Sequence, residues 1–229
     1  MADKRFTPPM TRRSGLRDAK LIIIAAEGQR TEKDYFEGVA QHYFNPRAHV
    51  EVLERGTSAA DPQHVLQELE RFCRRYKINK GYDELWLVVD IDRWAEKMLS
   101  EVAALCNQKK YKLAVSNPCF ELWLLLHLKS LHEYTADILS EFKKNRRRET
   151  GDHRTRLEIE LVRLLAGYSK NKLDLEPFLN HVQVAIARAE ALDLDQQSRW
   201  PADLGSRVYL IAKQIIAKQS PTPTNAGPF

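Results

Sequence analysis

Two apolar runs in this chain are continuous where a half-exposed strand would alternate: Leu21-Ile22-Ile23-Ile24-Ala25-Ala26 and Leu85-Trp86-Leu87-Val88-Val89. A strand that is apolar at every position has to be covered on both faces, which is the condition of a parallel sheet inside an α/β domain. Both runs end on acid, the first at Glu27-Gly28 and the second at Asp90-Ile91-Asp92. Helical spacing follows each. Thr31 can cap a helix carrying Tyr35, Phe36, Val39, Ala40 and Tyr43, and a second helix runs from about Ala95 to Asn107.

Two further strand–helix units complete the pattern. His49–Leu53 reads as a strand that leaves through the turn Gly56-Thr57-Ser58. Pro62–Tyr76 then carries Val65, Leu66, Leu69, Phe72 and Cys73 on one helical stripe. Tyr111–Val115 is a strand ending at Ser116-Asn117-Pro118, and Pro118 can open the next helix at its first position, where its missing N–H costs nothing. That helix, through Leu128, is apolar nearly all round apart from Glu121. The expectation is an α/β fold with a mainly parallel four-stranded sheet and right-handed crossovers. Beyond Lys129 the spacing predicts helices only, near Thr135–Lys144, Thr155–Leu165, Leu175–Leu192 and Ser206–Lys218. The last shows Val208, Ile211, Ala212 and Ile215 as an apolar stripe, which either packs within the chain or meets another one. The organisation is therefore a basic flexible lead-in (1–18), an α/β domain (19–130), a helical extension (131–219) and a Pro/Thr-rich disordered tail (220–229).

Composition narrows the function classes. At 229 residues, 43% hydrophobic and 29% charged, the chain is an ordinary globular sequence, and its net charge of +5 permits a polyanionic partner without requiring one. Three cysteines without CxxC spacing disfavour a disulfide framework or a zinc ribbon. The seven histidines form no metal-spaced pair with Cys or Glu, which disfavours zinc hydrolysis. Neither a GxxxxGK[ST] phosphate loop nor a GxSxG elbow is present. No apolar run approaches the roughly 18 residues of a bilayer span, and the first twenty residues lack the apolar stretch of a secretory signal, so a cytoplasmic location is expected.

In open α/β sheets, sites form where loops leave the carboxyl ends of the strands. Glu27 ends the first strand, Asp90 and Asp92 the third and Asn117 the fourth, with Glu121 one helical turn further. Alternation along a strand would aim Asp90 and Asp92 the same way. Carboxylates gathered there repel one another. A hard divalent cation relieves the repulsion, and an all-oxygen donor set suits Mg²⁺ or Mn²⁺ better than zinc. Either the chain binds such an ion through Glu27, Asp90 and Asp92, or these are strand-end residues without a shared task. Glu121 on an otherwise apolar helix has no packing explanation, because an unpaired buried carboxylate is expensive.

Glu-Gly closing a first strand, with Asp-x-Asp closing a later one, resembles the Toprim domain of topoisomerases, primases and OLD-type nucleases. In particular, the chain from Lys20 to about Ile216 resembles the RloB family. The stretches that carry the likeness are IIIAAEGQRTEKDYF (22–36), DELWLVVDIDR (83–93), VSNPCFELWLLLHL (115–128), GYSKN (167–171) and, more loosely, RWPADLGSRVYLI (199–211). The third is the most specific, since no generic fold requirement fixes Asn-Pro-x-Phe-Glu. The resemblance implies a metal-dependent nuclease that serves as the effector of prokaryotic anti-phage defence, beside a separately encoded ATPase of the ABC or AAA type. Its substrate would be RNA, with tRNA first, or DNA.

The same resemblance makes Glu27 a metal ligand or general acid–base, Asp90 and Asp92 the metal-holding pair, and Glu32 a second acid, unless Glu32 only favours the positive end of its helix. Lys170 is either a cation at the reacting phosphate or an exposed helix-end lysine. Asn117 and Glu121 stand at the edge of the site, Asn117 as a nucleic-acid contact or a turn residue before Pro118. The basic run Lys143, Lys144, Arg146, Arg147 and Arg148, with Arg154 and Arg156 beyond it, is either a phosphate clamp or a solvated face. Trp94 either stacks on a base or packs in the core. The competing expectation for the whole chain is a catalytically silent adaptor or regulatory subunit of the ATPase. Homo-oligomerisation on activation is open to both.

Overall fold

A computed structural model of the chain describes residues 19–28, 30–54, 61–76, 78–92, 94–147, 153–165, 167–170 and 172–217. The expected lead-in, the Gly56-Thr57-Ser58 turn, Arg148 and the expected tail lie outside these residues. Four strands are parallel neighbours: β1 (Lys20–Ala26), β2 (Ala48–Val52), β3 (Glu84–Asp90) and β4 (Lys112–Asn117). The helices that connect them are α1 (Thr31–Tyr43), α2 (Pro62–Arg75) and α3 (Glu96–Lys109), and α4 (Phe120–Leu128) follows β4. Asp61 caps α2, its carboxylate accepting from the N–H groups of Gln63 and His64 at 3.1 Å each.

The two-residue alternation of the continuous runs builds two cores, one on each face of the sheet. Ile22, Ile24, Trp86, Val88 and Ala114 share one core with α1, α4 and the later helices. Ile23, Ala25, Leu85, Leu87, Val89 and Val115 share the other with α2 and α3. This is what apolarity at every strand position requires.

The region after Lys129 holds α5 (Ala136–Lys144), α6 (Arg156–Leu165), α7 (Glu176–Leu179), α8 (Val182–Leu192) and α9 (Val208–Ile216). These helices close over the first face: Phe142, Leu157, Leu161, Phe178, Ala185 and Val208 belong to the same core as Ile22 and Trp123. The stripe Val208, Ile211, Ala212 and Ile215 is buried within the chain against α1, α8 and β4.

Three sequence expectations are corrected here. The sheet has five strands, in the order β2-β1-β3-β4-β5, because β5 (Gly205–Ser206) pairs antiparallel with β4. Two residues carry no periodicity, so helical spacing alone could not reveal it. Ser116 and Ser206 fix the pairing with a buried hydroxyl–hydroxyl hydrogen bond of 2.8 Å. The helix expected over Leu175–Leu192 is two helices, broken at Asn180-His181, although Phe178, Val182, Ala185 and Ala189 keep one buried face across the break. Pro118 does not open α4, which begins at Phe120, and the Asn117–Pro118 peptide is cis. Among the described residues, no helix is long and apolar enough to cross a membrane.

Candidate active site

The registers place the strand-end acids side by side. Ala26 pairs with Val88 and Asp90 with Ser116, so the loops after β1, β3 and β4 leave from adjacent positions. The Glu27 N–H continues the ladder by donating to the Val88 carbonyl at 3.0 Å. Its buried carboxylate then turns to β3, with Oε2 accepting from the Asp90 N–H at 3.2 Å and from the Trp94 indole N–H at 2.9 Å. Trp94 therefore orients Glu27 while resting against the second core.

Gly28 leaves room for the Glu32 carboxylate that lies above it. A Cβ built on it would overlap the carboxylate of Glu32, which folds back from the first turn of α1. The spacing of Glu27, Gly28 and Glu32 thus packs a second buried acid over the loop. Burial, and then the neighbouring Glu121 carboxylate, push the Glu32 carboxyl up to about 7. Asp90 is affected more strongly. Burial, followed by the charges of Glu27, Glu32, Glu121 and Asp92, holds its carboxyl well above the usual carboxylate range.

Glu121 stands on the first turn of α4 and is buried. Burial favours its neutral form, but Lys170 Nζ at 2.6 Å and the Cys119 thiol outweigh that and hold the carboxyl below its ordinary value. Lys170 also pairs with Glu158 at 2.8 Å, and Tyr168 donates its hydroxyl to Glu121 at 3.2 Å. Burial opposes the charge on Lys170, yet the two carboxylates keep its pKa raised. The Lys170 carbonyl accepts from the Thr31 hydroxyl at 3.0 Å, which ties the 168–170 segment to the start of α1. Glu158 itself caps α6, accepting from the Thr155 N–H at 2.6 Å.

Asp92 corrects an expectation. β3 ends at Asp90, so alternation does not extend to Asp92, which sits exposed in the following turn. The backbone N–H groups of Ile91 and Asp92 both donate to the Pro118 carbonyl, at 3.0 and 3.1 Å. The Asp92 carboxylate accepts from the Asn145 side chain at 3.2 Å. Asn145 is buried at the end of α5 with φ of 40°, a left-handed conformation that Asn tolerates better than most residues. Its Nδ2 also reaches Cys119 Sγ at 3.2 Å, and its Oδ1 accepts from the Leu157 N–H at 3.3 Å.

Glu27, Glu32, Asp90, Asp92, Glu121 and Lys170 are thus brought into one electrostatic neighbourhood. Among the described residues, however, no three His, Cys, Asp or Glu side chains are already gathered as a metal-binding group. The remaining expected residues lie elsewhere or at the margin. Asn117 donates to the Pro201 carbonyl at 3.0 Å and so anchors the loop that leads to β5. Lys143 pairs with Asp203 at 3.0 Å, Arg147 bridges to Thr155, and Lys144 and Arg146 are exposed. Asn145, Glu158 and Tyr168 were not anticipated. Tyr168 lies within the quoted GYSKN stretch, while Asn145 is a lone neutral residue inside a basic run, the one local signal that could have marked it.

A search of curated proteins and a search of solved structures each found no match. The family described as RloB-like protein matches residues 22–215, which takes in each acid of the site and, among the described residues, every strand and α-helix but the first two residues of β1 and the last of α9. The chain belongs to the RloB-like protein family.

Proposed function

We propose that the chain is a metal-dependent nuclease with a Toprim-like acidic centre, in which Glu27, Asp90 and Asp92 hold Mg²⁺ or Mn²⁺. The observation that carries this reading is the crowding of carboxylates at the strand ends. Asp90 lies among four other carboxylates, and the cation beside them, Lys170, is paired with Glu121 and Glu158. Carboxylate oxygens at that density match the donor chemistry of a hard divalent ion, which would lower the cost of ionising Asp90 and Glu32. Bound there, the ion would supply the positive charge that phosphodiester cleavage needs at the reacting phosphate.

The chain's own residues have separate tasks in this reading. Trp94 and the Asp90 N–H hold Glu27 in place. Glu32, with its carboxyl raised to about 7, can accept or release a proton near neutral pH. Lys170 positions Glu121, and Asn145 positions Asp92. Family membership supports the setting: an effector of prokaryotic anti-phage defence in the cytoplasm, restrained by a separately encoded ATPase and free to self-associate when released. The test is a cleavage panel of tRNA, other RNA, single-stranded DNA and supercoiled DNA with Mg²⁺ and Mn²⁺, run with wild type and Asp90→Asn. Cleavage of none of these with either ion would reject the proposal.

One observation favours a second reading, a silent adaptor of the ATPase: the Glu27 carboxylate already accepts two hydrogen bonds. Toxicity of the wild type on expression, lost in Glu27→Gln, decides for the nuclease. Equal behaviour of the two decides for the adaptor.

A further inference from the structure

Beside the acidic centre, the end of α5 and the start of α6 enclose a cavity of about 360 Å³ lined by Glu141, Lys144, Arg146, Arg156 and Ile159. That size lies at the lower end of ligand pockets, roughly 300–1,000 Å³. Three cations face one carboxylate across it. Arg156 donates to Glu141 at 2.7 Å and lies over the Phe142 ring. Lys144 and Arg146 have no ion-pair or hydrogen-bond partner among the described residues. Among the described residues, the cavity therefore carries surplus positive charge. Lys143, in the same run, differs because it is paired with Asp203.

The residue between Lys144 and Arg146 is Asn145. Its left-handed backbone turns the chain so that the two cations line the cavity while its own buried side chain reaches Asp92 at 3.2 Å. The Arg147–Thr155 bridge brings the start of α6, and with it Arg156, to the same place. The cationic cavity and the acidic centre are thus coupled through a single side chain.

We propose that this cavity seats a backbone phosphate of a nucleic-acid strand, with Lys144 and Arg146 as its principal donors and Glu141 as an electrostatic gate that competes for Arg156. The inference rests on the nuclease reading for its choice of ligand and says where the strand is gripped. An arginine fork and an ammonium suit phosphate oxygens. When a phosphate enters, Arg156 can share its guanidinium between the phosphate and Glu141, so Glu141 lowers affinity without blocking entry.

The test measures fluorescence anisotropy of a labelled oligoribonucleotide, and of the matching oligodeoxyribonucleotide, against the full chain in EDTA over a range of NaCl concentrations. Each strand-phosphate contact removed should flatten the log–log salt dependence by about 0.7. The Lys144→Ala/Arg146→Ala double variant, which gives up the one phosphate seated in the cavity, should therefore lose about 0.7 of slope, whereas Lys143→Ala should match wild type. Glu141→Gln should bind roughly fivefold more tightly at low salt, the size of one charge–charge contact in solvent. Every altered side chain is exposed, half-exposed Arg156 is left intact, and unchanged melting temperatures confirm that each variant folds. Unchanged slope in the double variant, equal loss in Lys143→Ala, or no strand binding by wild type overturns the proposal. So does a nucleoside monophosphate that binds as tightly as the oligonucleotide, since the cavity would then serve a free nucleotide. Because EDTA suppresses metal chemistry, absence of cleavage in the Mg²⁺ and Mn²⁺ panel would reject the nuclease reading and leave this result standing on its own.

Discussion

Replacing Glu32 with Gln tests the electrostatics of the acidic centre through stability, without reference to activity. The substitution keeps the side chain's shape above Gly28 and removes only its charge. The Glu32 carboxyl has a pKa of about 7 in the fold against 4.5 in the open chain. Below 4.5 both states hold the proton, so the residue costs nothing. Between 4.5 and 7 the folded state alone holds it, and stability falls as pH rises, because the native state binds more protons than the unfolded one. Above 7 both are ionised and the penalty is constant. A shift of this size corresponds to about 3 kcal/mol. Metal-free Glu32→Gln should therefore exceed wild type by up to about 3 kcal/mol at pH 8, a rise of roughly 6–12 °C in Tm for a chain of this size, and by almost nothing at pH 4. Urea denaturation in EDTA at half-unit pH steps reads the difference directly. A gap that is independent of pH, or that grows as pH falls, would refute the assignment of Glu32 as an acid held neutral by burial and Glu121. Mg²⁺ should narrow the gap at pH 8 if the ion joins this cluster, because it stabilises the ionised wild type.

Three more outcomes follow from the same geometry. Asp90→Asn should abolish cleavage while raising metal-free stability at neutral pH, since it removes a carboxylate that burial and four neighbours oppose; unfolding of the variant on circular dichroism would show a structural role instead. Lys170→Met should cost about 2–3 kcal/mol at pH 7, less than the roughly 3–5 of a fully buried pair because Lys170 is 38% exposed; adding Glu121→Gln should recover part of the loss in chemical denaturation. Asn145→Ala should lower kcat more than it raises KM, through release of Asp92, and should cost about 1–2 kcal/mol for the Leu157 N–H it leaves unpaired; an unchanged kcat would separate Asn145 from the site.

Much of the site was legible because it lies at strand ends, where short-range pattern and tertiary position coincide. A continuous apolar run followed by Glu27-Gly28 says where the strand stops, and parallel pairing then brings Glu27 next to Asp90 whatever else the chain does. Glu121 was legible for another reason: a carboxylate on an apolar helix must find a partner, and Lys170 is that partner. The basic run was visible as charge, but its division into a paired Lys143 and a cavity-lining Lys144 and Arg146 was not. That division depends on Asp203, sixty residues away, and on the turn at Asn145.

By itself, then, the sequence determined the parallel strands, the helices that cover both faces and the acids at the strand ends, because those follow from periodicity and from the cost of burying charge. Only the tertiary structure decided the fifth strand, whose two residues are held by Ser116 and the Pro201 loop rather than by any propensity of their own. It also decided that β3 stops at Asp90, since the Ile91 N–H is shared between the Ser116 and Pro118 carbonyls and the Asp92 N–H turns to Pro118 in the next loop. The partners of the acids were settled in the same way. Asn145, Glu158, Tyr168 and Lys170 come from a region with no strand-end pattern, and they reach the site because α6 and α8 bury their apolar faces against α4. Burial of those faces is non-directional and summed over many residues. The few polar contacts it carries into place are therefore decided by the packed whole, not by local sequence.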